Sequence, residues 1–404
     1  MLMSLTHQIL SRKTGRNVEP GEIVECNVDF LMMHDGSAFI ALKNFGKIGK
    51  KVFDRNKIMI VFDHYCPSNS IENSNIHNQI RKFVKNQGIK YFFDCGSGIC
   101  HQVFAETKPV KPYSVIVGGD SHTTTYGALG VFAVGMGATD ITVTLATGKT
   151  WFMVPEAYRI VINGRMRKGV YAKDIILDII KNLGVAGANN SAVEFEGSAV
   201  KKLSMDSRLT LCNMVTEAGA MNSIIGVDEK TEKHFGMKIK KIGSNHYGKV
   251  FEYESPDEPL VACPHSVGNV KPVREVEAEI DQVFIGSCTN GRYEDMRVAA
   301  NILRNRKVRV RTIISPASRN IYLRCLKDGF IKIFMQSGAI VLPPSCGPCI
   351  GVHNGVLGKD EVCLSTGNRN FKGRMGSGKI YLCSPATAAS SAVNGEITDP
   401  RRYL

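Results

Sequence analysis

Short apolar runs rich in β-branched and aromatic residues alternate with amphipathic stretches and glycine turns along the whole chain. That alternation restricts the fold to layered α/β architecture. Lys57–Asp63 (KIMIVFD) reads as a buried strand that ends on polar residues. Ile76, Ile80, Phe83 and Val84 then mark one face of a helix closed near Gly88. Lys90–Asp94 and Ser114–Val117 read as the next strands, and the second runs straight into Gly118-Gly119-Asp120-Ser121-His122. In open α/β sheets ligands gather beyond the carboxyl ends of strands. Loops of Asp, Ser and His at such ends are therefore where chemistry is expected.

A middle region begins near Pro155. It carries a hairpin signal at Asn163-Gly164 and a helix with Ile175, Ile176, Ile179, Ile180 and Leu183 on its apolar side, stopped by Gly184. The proline-studded stretch Ser255–Pro272 reads as the connection to a third region. That region opens with the strand Gln282–Ile285, which ends in Gly286-Ser287-Cys288-Thr289-Asn290. Its layout echoes the Asp120 loop, which fits either an internal duplication or the common grammar of α/β units.

With 404 residues the chain has room for two or three domains, and 43% hydrophobic with 22% charged residues is ordinary for a globular protein. No run approaches the ~18 uninterrupted apolar residues of a membrane helix. The start, MLMSLTHQILSRKTGR, is broken by His7, Gln8 and Ser11 and reads as an amphipathic first helix of a cytoplasmic protein rather than a signal peptide. The net charge of +14 suits either nucleic acid or multiply charged acids. The basic residues are dispersed, and the densest run, Arg304–Arg311, surrounds an expected strand without any RNA-binding signature. A small anionic substrate is the favoured reading, with no nucleic acid and no membrane as partner. Twelve cysteines do not follow the spacing of a secreted disulfide framework and point to a reducing compartment. Cys26, Cys212, Cys325 and Cys383 lie in apolar or helical contexts and read as core residues.

Three cysteines read differently. Cys346 and Cys349 form a C-x-x-C in PPSCGPCIG after the expected strand Ala339–Leu342. Its prolines and glycines let backbone N–H groups approach the sulfurs, as metal-bound thiolates require. Zinc half-sites and redox dithiols share this spacing. Cys288 supplies a third cysteine at another strand end, whereas Cys363 and Cys383 sit in strand-like runs, so no fourth ligand is evident. Three thiolates with one open position suit a cubane cluster; zinc and dithiol readings stay open at this point.

Asp63-His64 and Asp120-Ser121-His122 each place a carboxylate beside an imidazole at a strand end, an arrangement that can orient the ring and raise its pKa. In Asn368-Arg369-Asn370-Phe371-Lys372-Gly373-Arg374 two arginines flank a glycine turn, suited to binding carboxylates through paired hydrogen bonds. Glu194, in AVEFEG, lies among apolar residues and is expected to be buried with a partner.

GGDSHTTTYGALG, IGSCTNGR, PPSCGPCIG and TGNRNFKGRMGSG resemble the signature segments of the aconitase superfamily. In order and spacing they are most similar to the short large subunits of its two-subunit members, 3-isopropylmalate dehydratase and homoaconitase. The resemblance runs from MMHDGSA, near residue 34, to AASSAVNGEITDPR. It implies three α/β domains, 1–155, 156–273 and 274–404, the last carrying the cluster cysteines. It further implies one [4Fe–4S] cluster held by Cys288, Cys346 and Cys349, with one iron open to substrate.

By position, His64 with Asp63 matches the family's general acid, and Asp120 and His122 match residues around the reacting oxygen, with Ser121 between them. Glu194 matches a carboxylate near the same oxygen. Asn368, Arg369 and Arg374 match residues that contact cluster or substrate carboxylate, and His34 falls where aconitases carry a substrate-touching glutamine. Thr124 and Gly367 depart from common family spellings without removing a ligand or an acid–base group.

The fourth, swivelling domain of aconitases, which bears a serine base, has no counterpart in this sequence. A separate small subunit is expected to supply it. The implied reaction is dehydration and rehydration of a small hydroxy-di- or tricarboxylate: 2-isopropylmalate in leucine synthesis, or homocitrate, or both in a hydro-lyase of broad specificity. An RNA-binding regulator, and a zinc or dithiol protein indifferent to Cys288, are the competing classes.

Overall fold

The structure, a computed structural model, describes residues 3–404; Met1 and Leu2 of the expected first helix lie outside the described residues. The chain first builds a five-stranded, all-parallel sheet in the order Tyr91–Phe93, Ile58–Val61, Phe30–His34, Val115–Gly118, Phe132–Gly135. Phe30–His34 is laid down first and sits in the centre. The chain then winds outward on one side, returns, and winds outward on the other. The switch in direction falls between Phe30–His34 and Val115–Gly118, so the crevice that such sheets use for ligands opens beside His34 and Asp120.

The elements follow from their residues. All four residues of Ile58–Val61 (IMIV) are buried, because helices cover both faces of a parallel sheet. The expected helix spans Ile71–Gln87. Ser70 caps it by accepting from the Asn73 N–H, Ile76, Ile80 and Val84 are buried, and Gly88 ends it at φ +66°. The first helix, Leu5–Thr14, is capped by Ser4 and buries Leu5, Thr6, His7, Ile9 and Leu10. Ile23–Asn27 and Lys149–Met153 pair as an antiparallel ribbon.

A second, four-stranded parallel sheet has the order Asn222–Ile225, Ser191–Glu196, Glu156–Asn163, Lys249–Glu254. Here the hairpin expected at Asn163-Gly164 is not formed. Gly164 does turn the chain at φ +83°, but the turn leads to the helix Ala172–Leu183, and Ser191–Glu196 returns parallel to Glu156–Asn163. Ile175, Ile176, Ile179 and Ile180 are the buried face of that helix, and Gly184 donates its cap hydrogen bond to the Ile180 carbonyl.

The third sheet has seven strands, in the order Val270–Pro272, Leu260–Ala262, Lys379–Leu382, Val362–Ser365, Gln282–Ile285, Arg311–Ile314, Ile340–Val341. Two of them lie in the stretch expected to be a connection, so the sheet begins well before the anticipated boundary at 273. Both run antiparallel to their neighbours, and Val270–Pro272 is the edge strand, where proline is tolerated because one side of the backbone has no ladder partner. The other five are parallel and repeat the winding of the first sheet: Gln282–Ile285 is central and first, and the switch lies between it and Val362–Ser365. One continuous apolar core joins Met32, Met59 and Phe104 of the first sheet region to Ile176 and Phe195 of the second and Phe284 and Leu364 of the third. Among the described residues no helix is long and apolar enough to cross a membrane.

Candidate active site

The loops beyond the two switch points touch each other. The Cys346 N–H donates to the Asp63 carbonyl (3.1 Å), Ile99 N–H to the Ala317 carbonyl (2.8 Å), and Gly98 forms an isolated bridge with Ser318. The walls of the cleft thus come from strand ends of both sheets, with a helix and turn of the middle region closing one side.

The first sheet supplies the acid–base groups. Asp63 is fully buried. One of its oxygens accepts from the Cys100 N–H (2.7 Å) and the other lies 2.7 Å from His64 Nδ1. This fixes the His64 ring and leaves Nε2, 3.7 Å from Asp120 Oδ2, facing the cleft. Burial opposes charging this imidazole, but Asp63, with Asp120 and Asp35 beyond it, overcomes burial and holds its pKa at about 10. His34 ends the central strand and stacks on His64 with ring centroids 3.9 Å apart, and its Nε2 is 3.9 Å from Asp120 Oδ2. Asp120 is gripped on its other oxygen by His101 Nε2 (2.9 Å) and by the His122 N–H (2.7 Å). Burial would raise its pKa, yet His101 and His122 keep it well below the usual carboxylate range.

The middle region contributes Glu217 and Asn213, neither of which stands out in the sequence. Glu217, in the turn Val215–Ala218, lies 2.9 Å from His122 Nε2 and accepts from Arg369 Nε at 2.8 Å. Burial would push this carboxyl up; the His122 hydrogen bond and Arg369 bring it below its usual value. A second Arg369 nitrogen donates to Ser121 Oγ (3.1 Å). Glu194 is not part of this site. It is buried as expected, but in a pocket under the first helix, where it accepts from Leu5 N–H (3.2 Å), Thr6 N–H (2.8 Å), Thr6 Oγ1 (3.0 Å) and Tyr247 OH (3.0 Å). It is a helix-capping carboxylate. No local signal separates it from Glu217, because both stand among apolar neighbours and the partner of each is set by tertiary packing.

The third sheet brings in the sulfurs. Cys288 follows the central strand on a short turn in which Ser287 adopts φ +74°. Its Sγ receives the side-chain amides of Asn213 (3.3 Å) and Asn368 (3.4 Å). Cys349 Sγ receives Arg374 Nη2 (3.4 Å), and Cys346 Sγ lies 3.8 Å from His64 Nδ1. Burial pushes the Cys288 thiol up to about 11 and Cys346 well above its ordinary value. Neutral thiols gain little from amide and guanidinium donors aimed at sulfur, whereas ligated thiolates need them. Arg374 Nε is also buried with no partner, so this wall is built for additional negative charge.

A lone zinc would draw three thiolates to within about 3.8 Å of one another, given Zn–S bonds of about 2.3 Å. Among the described residues, the ligand atoms gathered within 4.8 Å of one another belong to His34, Asp35, Asp63 and His64 and not to the three cysteines. The wider cysteine arrangement fits a multi-iron cluster better than a single ion.

Residues 7–255 and 257–395 match the model of the aconitase family (aconitate hydratase). The chain belongs to the aconitase family. It is 47% identical to 3-isopropylmalate dehydratase large subunit 1 of Methanopyrus kandleri, over 99% of each chain. It is 50% identical to the probable methanogen homoaconitase large subunit of Methanosarcina mazei, over 93% of this chain and 99% of that one. Among solved structures it is similar to aconitase X of Thermococcus kodakaraensis, with a TM-score of 0.52 at 13% identity over 90% of this chain and 87% of that one. That likeness is one of fold.

Proposed function

We propose that this chain is the large, cluster-bearing subunit of a 3-isopropylmalate dehydratase, interconverting 2- and 3-isopropylmalate by loss and re-addition of water. One observation carries the reading: a buried carboxylate–imidazole pair, an ionised aspartate, an arginine–glutamate pair and three cysteines, met by two amides, a guanidinium and an imidazole, come together at the strand ends of two sheets. Full-length similarity to proteins named for this activity supports it. Twelve free cysteines suit the reducing cytoplasm in which such a biosynthetic enzyme would work.

Cys288, Cys346 and Cys349 would hold a [4Fe–4S] cluster, which supplies Lewis acidity toward the carbon–oxygen bond that breaks. The protein's own groups do the rest. His64, kept protonated by Asp63, offers Nε2–H to the departing hydroxyl and retrieves the proton when water adds back. Asp120, held ionised by His101 and His122, accepts a hydrogen bond from that hydroxyl or water and keeps it aligned. Arg369, steadied by Glu217 and Ser121, presents its remaining N–H groups to a substrate carboxylate. Removal of the carbon-bound proton falls to a base on a small partner subunit that closes over the cleft.

Homoaconitase is the second reading, and the 50% identity to a protein of that name favours it equally. The test is an anaerobic assay of the cluster-loaded chain with and without its small partner, on 2-isopropylmalate and homocitrate in parallel. Turnover of 2-isopropylmalate only with the partner is expected. Preference for homocitrate would replace the substrate, and full activity of the chain alone would remove the split site.

A further inference from the structure

Behind the cleft wall lies a second group of reactive side chains that the dehydration chemistry does not use. Cys66 is buried in the loop that follows His64, and Cys95 is partly exposed in the loop that follows Tyr91–Phe93. The two thiols are close enough to perturb each other's ionisation. Cys95 Sγ lies 4.0 Å from His77 Nδ1, and His77 Nε2 lies 3.1 Å from Asp35 Oδ2. Carboxylate, imidazole and thiol therefore stand in a row, with a second thiol beside the first. Asp35 makes the imidazole a strong base, and the imidazolium stabilises a thiolate on its other side.

The charge states agree with that geometry. Burial disfavours charge on His77, but Asp35 and Cys95 outweigh it and raise its pKa to about 9. The neighbouring Cys66 thiol and the contact with His77 lower the Cys95 thiol below its ordinary value against burial. Burial instead pushes Cys26 up to about 11, and Cys212, Cys325 and Cys363 up to about 12. A low-pKa, accessible thiol beside a resolving partner is the signature of a peroxide-reactive site.

We propose that Cys95 and Cys66 form a redox-active dithiol whose oxidant is hydrogen peroxide, Cys95 attacking and Cys66 resolving. The Cys95 sulfur attacks one peroxide oxygen, and the oxygen–oxygen bond breaks. The departing hydroxide takes a proton from the His77 imidazolium and leaves as water, with Cys95 now a sulfenic acid. The Cys66 sulfur then displaces the hydroxyl. A sulfur–sulfur bond forms, the sulfur–oxygen bond breaks, and the Cys66 proton leaves in a second water. Two electrons have passed from the pair to the peroxide, and a small dithiol reverses the change.

The location gives the reaction a consequence. Asp35 accepts from the backbone N–H groups of His64 (3.2 Å) and Tyr65 (2.9 Å), just before Cys66. A disulfide would remove the anionic sulfur from His77 and tie the His64 loop to the loop Asp94–Gly98, which contacts the third sheet. The oxidant would thus be read directly behind the catalytic acid, whichever hydroxy acid the enzyme converts.

The test is thiol mapping on the cluster-loaded protein, independent of turnover. With limiting iodoacetamide at neutral pH, Cys95 is expected to alkylate at least about tenfold faster than the buried loop thiol Cys263. His77→Gln should abolish most of that advantage. One equivalent of hydrogen peroxide should give a Cys66–Cys95 linked peptide that dithiothreitol removes, and Cys66→Ser should leave Cys95 as a sulfenic acid trapped by dimedone. Alkylation of Cys95 no faster than Cys263 in the unsubstituted protein would overturn the proposal. So would peroxide oxidation confined to Cys346 and Cys349 with the pair still reduced.

Discussion

Glu217 accepts from a guanidinium on one side and faces an imidazole on the other, and both of those groups line the cleft. Replacing it with glutamine removes the charge that holds Arg369 and His122 in place, while leaving the side-chain volume intact. Glu217→Gln is therefore expected to lower kcat by about 10²-fold or more, the range for a misplaced acid–base constellation, with little change in stability. Glu194→Gln should do the opposite. It weakens charge-assisted bonds to the first helix at a cost of about 1–3 kcal/mol, read by denaturant unfolding, and leaves kcat near that of the parent. Equal loss of kcat in the two variants would contradict this division. The contrast also marks how far single residues could be read. The paired motifs Asp63-His64 and Asp120-Ser121-His122 and the three cysteines announce themselves because reactive side chains stand at strand ends. His101, Asn213 and Glu217 lie in helical or turn segments of ordinary composition and become functional only through what folding places beside them.

At the scale of elements, the helix Ile71–Gln87 does more than cover the first sheet. It carries His77, stacked on Phe62 (centroids 4.2 Å apart) and bonded to Asp35, which in turn holds the loop of His64. Although burial opposes it, the hydrogen bond to Asp35 raises the His77 pKa from 6.5 to about 9. A raised folded-state pKa means that the folded protein binds this proton more tightly than the unfolded chain does. The stabilisation is complete below about pH 6.5 and is lost as pH climbs through about 9. Urea unfolding under reducing conditions should therefore show a falling midpoint across that window. His77→Gln should flatten this part of the profile; a profile unchanged by the substitution would rule the linkage out.

Helices and fully buried strands of this kind were legible, since IMIV and the isoleucines of Ala172–Leu183 declare both burial and period. Pairing was less so. Asn163-Gly164 satisfies a tight turn of any purpose, and whether the next strand returns antiparallel or crosses over is decided by packing many residues away. Prolines likewise disguised Leu260–Ala262, which Pro259 and Pro264 flank, and Val270–Pro272, which as an edge strand can carry a proline that a central one cannot.

At the scale of the whole molecule, two parallel five-strand arrays are wound in the same order and meet at their switch points. The echo noticed between the Asp120 and Cys288 loops is real in kind but shifted in register. By winding order, the Asp120 loop corresponds to the Asn368 loop, since each follows the strand laid down when direction reverses. Cys288 corresponds to His34, since each ends a central strand. Beyond the shared apolar core, the strand-end side of the seam between these arrays is polar and includes contacts such as Cys346 N–H to the Asp63 carbonyl and Arg369 to Ser121.

A cluster bound by cysteines of one array and flanked by histidines of the other would add binding free energy directly to this seam. Removing it should lower the thermal midpoint of the chain. It should also open hydrogen exchange first at residues 63–66, 286–290, 343–351 and 366–370, while the core strands stay protected. Cys288→Ser should reproduce both effects with all iron lost, because the three sulfurs act as one ligand set. If Cys288→Ser instead kept its metal, with midpoint and exchange unchanged, the C-x-x-C would be a self-sufficient zinc or dithiol site. The seam would then be held by the protein's own hydrogen bonds and apolar core, with no contribution from metal.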